Sequence, residues 1–276
     1  MGREKTQCCG RKWCVGDVCG IICAVITWGL VIYGETCILW VMMSSWELHP
    51  VHQTVNFIIF NFFAIMALTS HAKTMLTDPG AVPKGNATDD YIERLQLMNE
   101  NKVVYKCQKC CSIKPERAHH CSVCERCIRR MDHHCPWVNN CVGEGNQKYF
   151  VLFTLYIACL SIHALYWGVW QFVECVGSEW ATCPALSPPA TTLLLIFLLF
   201  EGVLFAIFTG VMFGTQISAI CSDETAIESL KRGDCEKVRG SSWKNLQMVF
   251  GGPFSWRWLS PLVEPYATKA TFEYSV

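Results

Sequence analysis

The chain has 276 residues, of which 51% are hydrophobic and only 17% charged, with a formal net charge of zero. That is too apolar for an ordinary soluble domain, and the absence of a charge excess excludes a nucleic-acid partner held by bulk electrostatics. Nineteen residues are Cys; eight of them fall between Cys107 and Cys141, among histidines, which points to metal in a reducing compartment and away from a disulfide framework.

In chain order, residues 1–17 are a basic arm carrying Arg3, Lys5, Arg11 and Lys12. The arm lacks the short apolar run of a cleavable signal peptide. Its opening matches the myristoylation pattern, with Gly2 as acceptor and Thr6 in place, and Cys8 and Cys9 beside it as palmitoylation candidates; a plain basic arm fits the same residues. Four apolar runs follow, at 18–43, 55–74, 149–173 and 191–222. Each is long enough to cross a bilayer, which takes about 20 residues. Between them lie two short connections, 44–54 and 174–190, and a polar central loop, 75–148, whose Cys-rich core spans 107–141. Residues 223–276 form a polar tail.

Lys and Arg fix the expected sidedness. The arm has four, residues 73–148 twelve and the tail seven, which is all twenty-three; the short connections have none. The positive-inside rule therefore puts both termini and the central loop in the cytosol and the connections in the lumen. Cys175 and Cys183 fall in a luminal connection and can pair there as a disulfide. Glu35 and Glu201 lie at or within spans, where an acid serves bundle hydrogen bonding or, as a minority reading, an ion path. The expected fold is an all-α polytopic membrane protein: four transmembrane helices and a cytosolic, zinc-binding cysteine-rich domain of short β-hairpins.

The core contains an overlapping repeat. Cys107-x2-Cys110 is followed after nine residues by His120 and after six more by Cys127; fourteen residues on, Cys121-x2-Cys124, His134 and Cys141 repeat the spacing. Each copy supplies three thiolates and one imidazole, a set suited to a closed, tetrahedral, structural zinc site. A sequential assignment, with each His-Cys pair used locally, remains open but breaks the repeat. So little apolar material lies here that two structural zinc ions would supply much of the folding free energy.

The repeat also aligns His119-His120-Cys121 with His133-His134-Cys135. Cys121 opens the second copy, but no third copy follows, so Cys135 is spare. Asp132, His133 and Cys135 bring an acid, an imidazole and a thiol together, a candidate orienter, base and nucleophile. Cys111 reads as an idle thiol and His119 as a structural histidine. The spare thiol lies fourteen residues before Tyr149, where the third apolar run begins. Chemistry at a bilayer face on a substrate with a lipid part follows, and a two-stage thioester exchange suits it: the thiol accepts an acyl group and passes it to another thiol.

At these residues the chain resembles the DHHC family of protein S-acyltransferases. Asp132-His133-His134-Cys135 matches the family signature, and Pro136-Trp137-Val138-Asn139-Asn140-Cys141-Val142-Gly143 continues it. Asp78-Pro79-Gly80 matches the family's DPG motif. Thr225-Ala226-Ile227-Glu228 resembles its TTxE motif, with Ala226 in place of the second Thr, and Asn245 before Phe250-Gly251 resembles a C-terminal asparagine motif. The wording of residues 76–88 is most similar to the Golgi-specific DHHC zinc finger subgroup. The resemblance implies a four-helix bundle enclosing the acyl chain of palmitoyl-CoA, a zinc domain capping it on the cytosolic side and a Golgi membrane location. It implies an acyl-Cys135 intermediate, with His133 as base and Asp132 orienting it. Trp137 would pack near the thioester, Arg129, Arg130 and Lys148 would meet the CoA phosphates, and Leu160 would close the far end of the acyl cavity. Ordinary positive-inside charge accounts equally for the three basic residues, and bundle packing for Leu160.

The expected partners are palmitoyl-CoA, the lipid bilayer and membrane-associated proteins with accessible cysteines. Glu273-Tyr274-Ser275-Val276 adds a PDZ protein as a further candidate. Two other classes fit part of the pattern: a non-catalytic zinc scaffold anchored in a membrane, and a divalent-cation transporter hinted at by Glu35 and Glu201.

Overall fold

The computed structural model describes residues 7–8, 12–98, 105–183, 185–231 and 240–265. Gly2, Cys9 and the four C-terminal residues lie outside this set, as does the side chain of Cys8. The elements, in order, are the strands β1 (Gln7–Cys8) and β2 (Lys12–Trp13), then the helices α1 (Val18–Cys37), α2 (Pro50–Leu76) and α3 (Asp89–Met98). Six strands follow: β3 (Lys106–Cys107), β4 (Ser112–Ile113), β5 (His119–Cys121), β6 (Arg126–Ile128), β7 (His133–Cys135) and β8 (Asn140–Val142). The helices α4 (Gln147–Gly177), α5 (Pro188–Ser222), α6 (Ala226–Lys231) and α7 (Ser242–Phe250) follow, with a 3-10 turn at Trp256–Leu259 after them.

Four helical segments are long and apolar enough to cross a membrane: Val18–Met42, Pro50–Leu76, Gln147–Gly177 and Pro188–Ser222. Their ends follow local chemistry. Asp17 accepts the Gly20 amide at 2.7 Å and caps α1. Pro50 opens α2 and Pro188 opens α5, at positions where a missing N–H costs nothing. The first segment leaves α geometry at Ile38 and ends in a π turn, Ile38–Met42, and a 3-10 turn, Met43–Ser45. The second segment begins ahead of the uncharged run because its polar first turns are satisfied. Gln53, fully buried, donates to Ser45 Oγ at 2.6 Å and Gln171 Oε1 at 3.2 Å and accepts from Trp167 Nε1 at 2.8 Å.

The chain divides into two compact units: residues 1–24, 71–150 and 217–276, and residues 25–70 with 151–216. The second unit is a helical bundle. Tyr33 on α1 donates to the Leu194 carbonyl of α5 at 2.7 Å, and Phe60 of α2 meets Trp167 of α4 edge-on. Gly168 and Gly202 let α4 and α5 approach closely, since an added Cβ would lie 3.1 Å from Leu199 Cδ2 and 3.0 Å from Leu165 Cδ2 respectively. Cys175 and Cys183 are disulfide-bonded, closing the turn that leads out of α4. Leu160 is buried in this unit.

The first unit holds the cysteine-rich module. Its strands pair as separate antiparallel hairpins, β3–β4, β5–β6 and β7–β8, and Ala81 adds one antiparallel bridge to Ile128 of β6. The Asp78-Pro79-Gly80 turn runs against them. Asp78 Oδ1 accepts the amides of Gly80 and Ala81 at 2.9 and 2.7 Å, and Gly80 takes φ +104°, open to glycine at little cost. Val82 and Gly85 then donate to the carbonyls of Cys127 and Cys110. The second helix is tied in at its end: Asn140 Nδ2 donates to the carbonyls of Thr74, Met75 and Thr77, and Asn146 Nδ2 to that of Thr74. These are carbonyls that a helix C-terminus leaves without intrahelical partners.

Candidate functional site

The hairpin register assembles the metal-binding sets. In β5–β6, His120 pairs with Cys127; in β7–β8, His134 pairs with Cys141. Directly opposed residues on adjacent strands share one face, so each hairpin presents one imidazole beside one thiol. The CxxC turns supply the rest. The residue after each turn, Cys111 or Glu125, adopts a left-handed conformation, with φ 48° and 53°. These two residues are fourteen apart, so the repeat extends to backbone geometry.

Two sets result, Cys107, Cys110, His120 and Cys127, and Cys121, Cys124, His134 and Cys141, with the ligand atoms of each within 4.8 Å of one another. These are the interleaved sets, not the sequential ones. In the first, His120 Nδ1 lies 3.2 Å from Cys110 Sγ and 3.8 Å from Cys107 Sγ. In the second, His134 Nδ1 lies 3.7, 3.5 and 3.6 Å from the sulfurs of Cys121, Cys124 and Cys141. Three sulfurs facing one ring nitrogen in a buried pocket fit a tetrahedral zinc ion with no open position. Cys111 is exposed and joins neither set.

Strand alternation separates the chemistry. Along β7, successive side chains point to opposite faces. His134 therefore turns to its thiols while His133 and Cys135 share the other face. Asp132 Oδ2 and His133 Nδ1 are 2.7 Å apart, and His133 also hydrogen-bonds Cys135. Burial works against a charge on His133, yet the Asp132 carboxylate and the Cys135 sulfur together hold its pKa up to about 9. The ring meets Phe150 edge-on with centroids 5.3 Å apart. Cys135 itself is 8% exposed. The turn after it, Pro136–Val138, carries Trp137, 36% exposed, whose carbonyl is bonded by His71 Nε2 at 2.8 Å.

The segment after α5 supports Asp132. Thr225 and Glu228 form a capping box: the Thr225 amide donates to Glu228 Oε2 at 2.8 Å and the Glu228 amide to Thr225 Oγ1 at 3.3 Å. This orients the Ala226 amide, which donates to Asp132 Oδ1 at 2.7 Å. Both carboxylate oxygens of Asp132 are thus engaged. Arg117 locks the box from the zinc module, with Nε 2.6 Å from Glu228 Oε1, Nη2 2.7 Å from Glu228 Oε2 and Nη2 donating to the Asp223 carbonyl at 2.8 Å. Its bonds to Glu228 hold the guanidinium charged well above its ordinary range; burial opposes the Glu228 charge, but Arg117 keeps that carboxyl below the usual carboxylate range. Asn245 Nδ2 donates to the Cys221 carbonyl at 3.2 Å and ties α7 to the last turn of α5.

The basic residues separate. Arg129 pairs with Glu144 at 3.0 Å and Arg130 with Asp223, both partly accessible. Lys148 does not reach a surface: it is 0% exposed, and Nζ donates to the carbonyls of Arg257 at 3.1 Å and Val263 at 2.9 Å. Its expected contact with CoA phosphates is corrected accordingly, because those carbonyls use its charge to anchor the tail. Sequence reasoning passed over Arg117, Asp223, Asn140 and Asn146. Only Asn140 carried a signal, its place in the run after Cys135.

Comparison with known proteins agrees with this site. The family model for DHHC palmitoyltransferases matches residues 100–233. Palmitoyltransferase ZDHHC3 of Homo sapiens is 57% identical over 261 residues, covering 95% of this chain and 87% of that protein. Palmitoyltransferase ZDHHC7 of Mus musculus is 54% identical over 264 residues, covering 94% and 84%. Probable protein S-acyltransferase 12 of Arabidopsis thaliana is 34% identical over 212 residues, covering 74% and 72%. With such likeness over nearly its whole length, and the thiol, imidazole and carboxylate gathered at β7, the chain belongs to the DHHC palmitoyltransferase family.

Proposed function

We propose that this enzyme moves a palmitoyl group from palmitoyl-CoA to cysteine thiols of membrane-associated proteins through an acyl-Cys135 intermediate. One observation carries the residue assignment: Cys135 belongs to neither metal set and hydrogen-bonds an imidazole that Asp132 holds at 2.7 Å. His133 takes the Cys135 proton, and the thiolate adds to the thioester carbonyl. CoA leaves with that proton, and Cys135 holds the acyl group. An incoming protein thiol then gives its proton to His133, attacks the acyl-enzyme and releases Cys135, which recovers the proton. Asp132 keeps Nδ1 of His133 engaged and favours the imidazolium formed in each half-reaction. Bound zinc supplies rigidity to the hairpins. The scaffold and transporter readings are not favoured by the family.

Trp137, exposed beside Cys135, supports its reading as a contact of the thioester, and partly accessible Arg129 and Arg130 support theirs as contacts of the CoA phosphates. Leu160 is read as the residue that limits acyl length. Sidedness, with arm, module and tail cytosolic, rests on the distribution of Lys and Arg, and a Golgi membrane rests on the resemblance of residues 76–88. A PDZ partner rests on the last four residues alone, and binding of that peptide to PDZ domains tests it.

Incubation of purified protein with labelled palmitoyl-CoA should place one hydroxylamine-labile acyl group on the peptide bearing Cys135; a scaffold would take none. Repeating this with C14 to C18 donors on Leu160→Ala tests the length reading, and an unchanged preference removes Leu160. A further variant probes the Arg117 clamp. Arg117→Gln loses charge-assisted bonds of about 1.5–3 kcal/mol each. Part of that loss reaches Asp132 through Ala226, so acyl-enzyme formation should slow roughly tenfold, which corresponds to about 1.4 kcal/mol in the barrier. Single-turnover kinetics at unchanged zinc content checks it.

A further inference from the structure

The mechanism leaves two thiols at the start of the first span unused. Cys19 and Cys23 stand four residues apart on α1, on one face of the helix, and hydrogen-bond each other. The first turn of this helix is docked on the turn that follows Cys135. Asn139 Nδ2 donates to the Val15 carbonyl at 2.8 Å, and Trp13 Nε1 donates to Asn140 Oδ1 at 3.0 Å. Gly20, between the two cysteines, lies so close to the Asn139 side chain that any Cβ there would collide with it. Asn139 Oδ1 is buried at this contact without a hydrogen-bond partner among the described residues. Cys23 lies within electrostatic reach of Cys135. Cys19 is exposed and Cys23 half-buried, and Val18, Ile21 and Ile22 around them expose an apolar helix surface.

We propose that Cys23, paired with Cys19 one turn earlier, is a second acyl acceptor of this chain, taking a long-chain acyl group from Cys135 by thioester exchange. This rests on acyl-Cys135 being the intermediate. The Cys23 sulfur adds to the carbonyl of acyl-Cys135; a new C–S bond forms to Cys23, the C–S bond to Cys135 breaks, and the proton leaving Cys23 ends on Cys135. One thioester replaces another, so no oxidant or reductant enters and the exchange is close to isoenergetic. Cys19 can receive that same group from Cys23 by one further exchange, so the pair holds one acyl group. The exposed apolar surface formed by Val18, Ile21 and Ile22 gives the moved chain a place to lie. Cys135 is then free to accept another acyl group, and the chain stores a second equivalent.

The test is acyl-site mapping by mass spectrometry of the full-length protein in lipid nanodiscs, at intervals after addition of palmitoyl-CoA. The expected course is one acyl group on Cys135, then a second on the 19–23 segment after a lag. Cys135→Ser should abolish both. The double variant C19S/C23S should keep full Cys135 acylation and two zinc ions per chain while the label at saturation falls twofold. Acyl-Cys135 with none on 19–23 in the parent protein overturns the proposal. So does acyl on 19–23 that persists in Cys135→Ser, since the group would then come directly from CoA. Absence of acyl from Cys135 itself overturns the proposed function, and the second acceptor falls with it.

Discussion

Cys135→Ser should lower palmitoyl transfer by at least ~10⁴-fold while both metal sites stay filled. The separation follows from β7. His134, one residue earlier, points to Cys121, Cys124 and Cys141, whereas Cys135 points the other way, to His133. A hydroxyl of nearly the same size keeps the pairing of position 135 with Asn140 and the hydrogen-bonding place beside His133. What disappears is a sulfur that ionises readily and forms an exchangeable thioester. Elemental analysis for zinc and single-turnover acylation on the same preparation read the two quantities together. Undiminished label in the variant would sink the nucleophile assignment. Loss of metal would show that Cys135 belongs to a metal set after all.

Removing metal should have the opposite signature, losing structure and activity together. The module has little else to hold it. One buried cluster is Val82, Cys107, Cys110, Ala118 and Cys127; another is Val15, Cys121, Cys124, Ile128, Met131 and Cys141. Six of those eleven side chains belong to the two sets that could hold a metal ion, so the candidate ligands make up much of what is buried here. The strands are two or three residues long, far below the length at which a hairpin is stable unaided. Structural zinc contributes about 10–16 kcal/mol of apparent binding free energy in small domains, which no aliphatic core of this size replaces. A strong chelator should therefore unfold residues 105–146, seen as loss of amide protection, and acylation should fall below about 1% of the parent. Cys141→Ala should remove one zinc and nearly all activity, because the same hairpin carries Cys135. Cys107→Ala should also remove one zinc, with a smaller loss, because β3 does not contribute to the catalytic face. Full acylation in a zinc-free protein would refute this account.

Much of this site was legible because it is local. Spacing alone separated Cys135 from the eight residues that gather into two sets able to hold a metal ion, since the members of each copy are close in sequence and the hairpin register follows from it. The spans were legible from their apolar runs. What could not be read depends on contacts across long stretches of chain. Lys148 looked like one more cytosolic cation, yet it is committed to carbonyls of Arg257 and Val263, more than a hundred residues on. Arg117 sat unnoticed between two CxxC turns because its partners, Asp223 and Glu228, follow the last span. The start of α2 ran ahead of its apolar segment because the polar Gln53 finds Trp167 and Gln171 on another helix. Hydropathy scores each residue alone and has no means of crediting such partners.

The contact between Ala226 and Asp132 uses a main-chain amide, so it does not record which side chain stands at position 226. A motif defined by side chains would count Ala226 as a lost element; the geometry keeps the function of that position and makes it tolerant of nearly every exchange. Only proline, which has no amide hydrogen, would cut the link. Position 226 can therefore drift among relatives without cost to Asp132, and identity there is a poor guide to whether a member of the family is active.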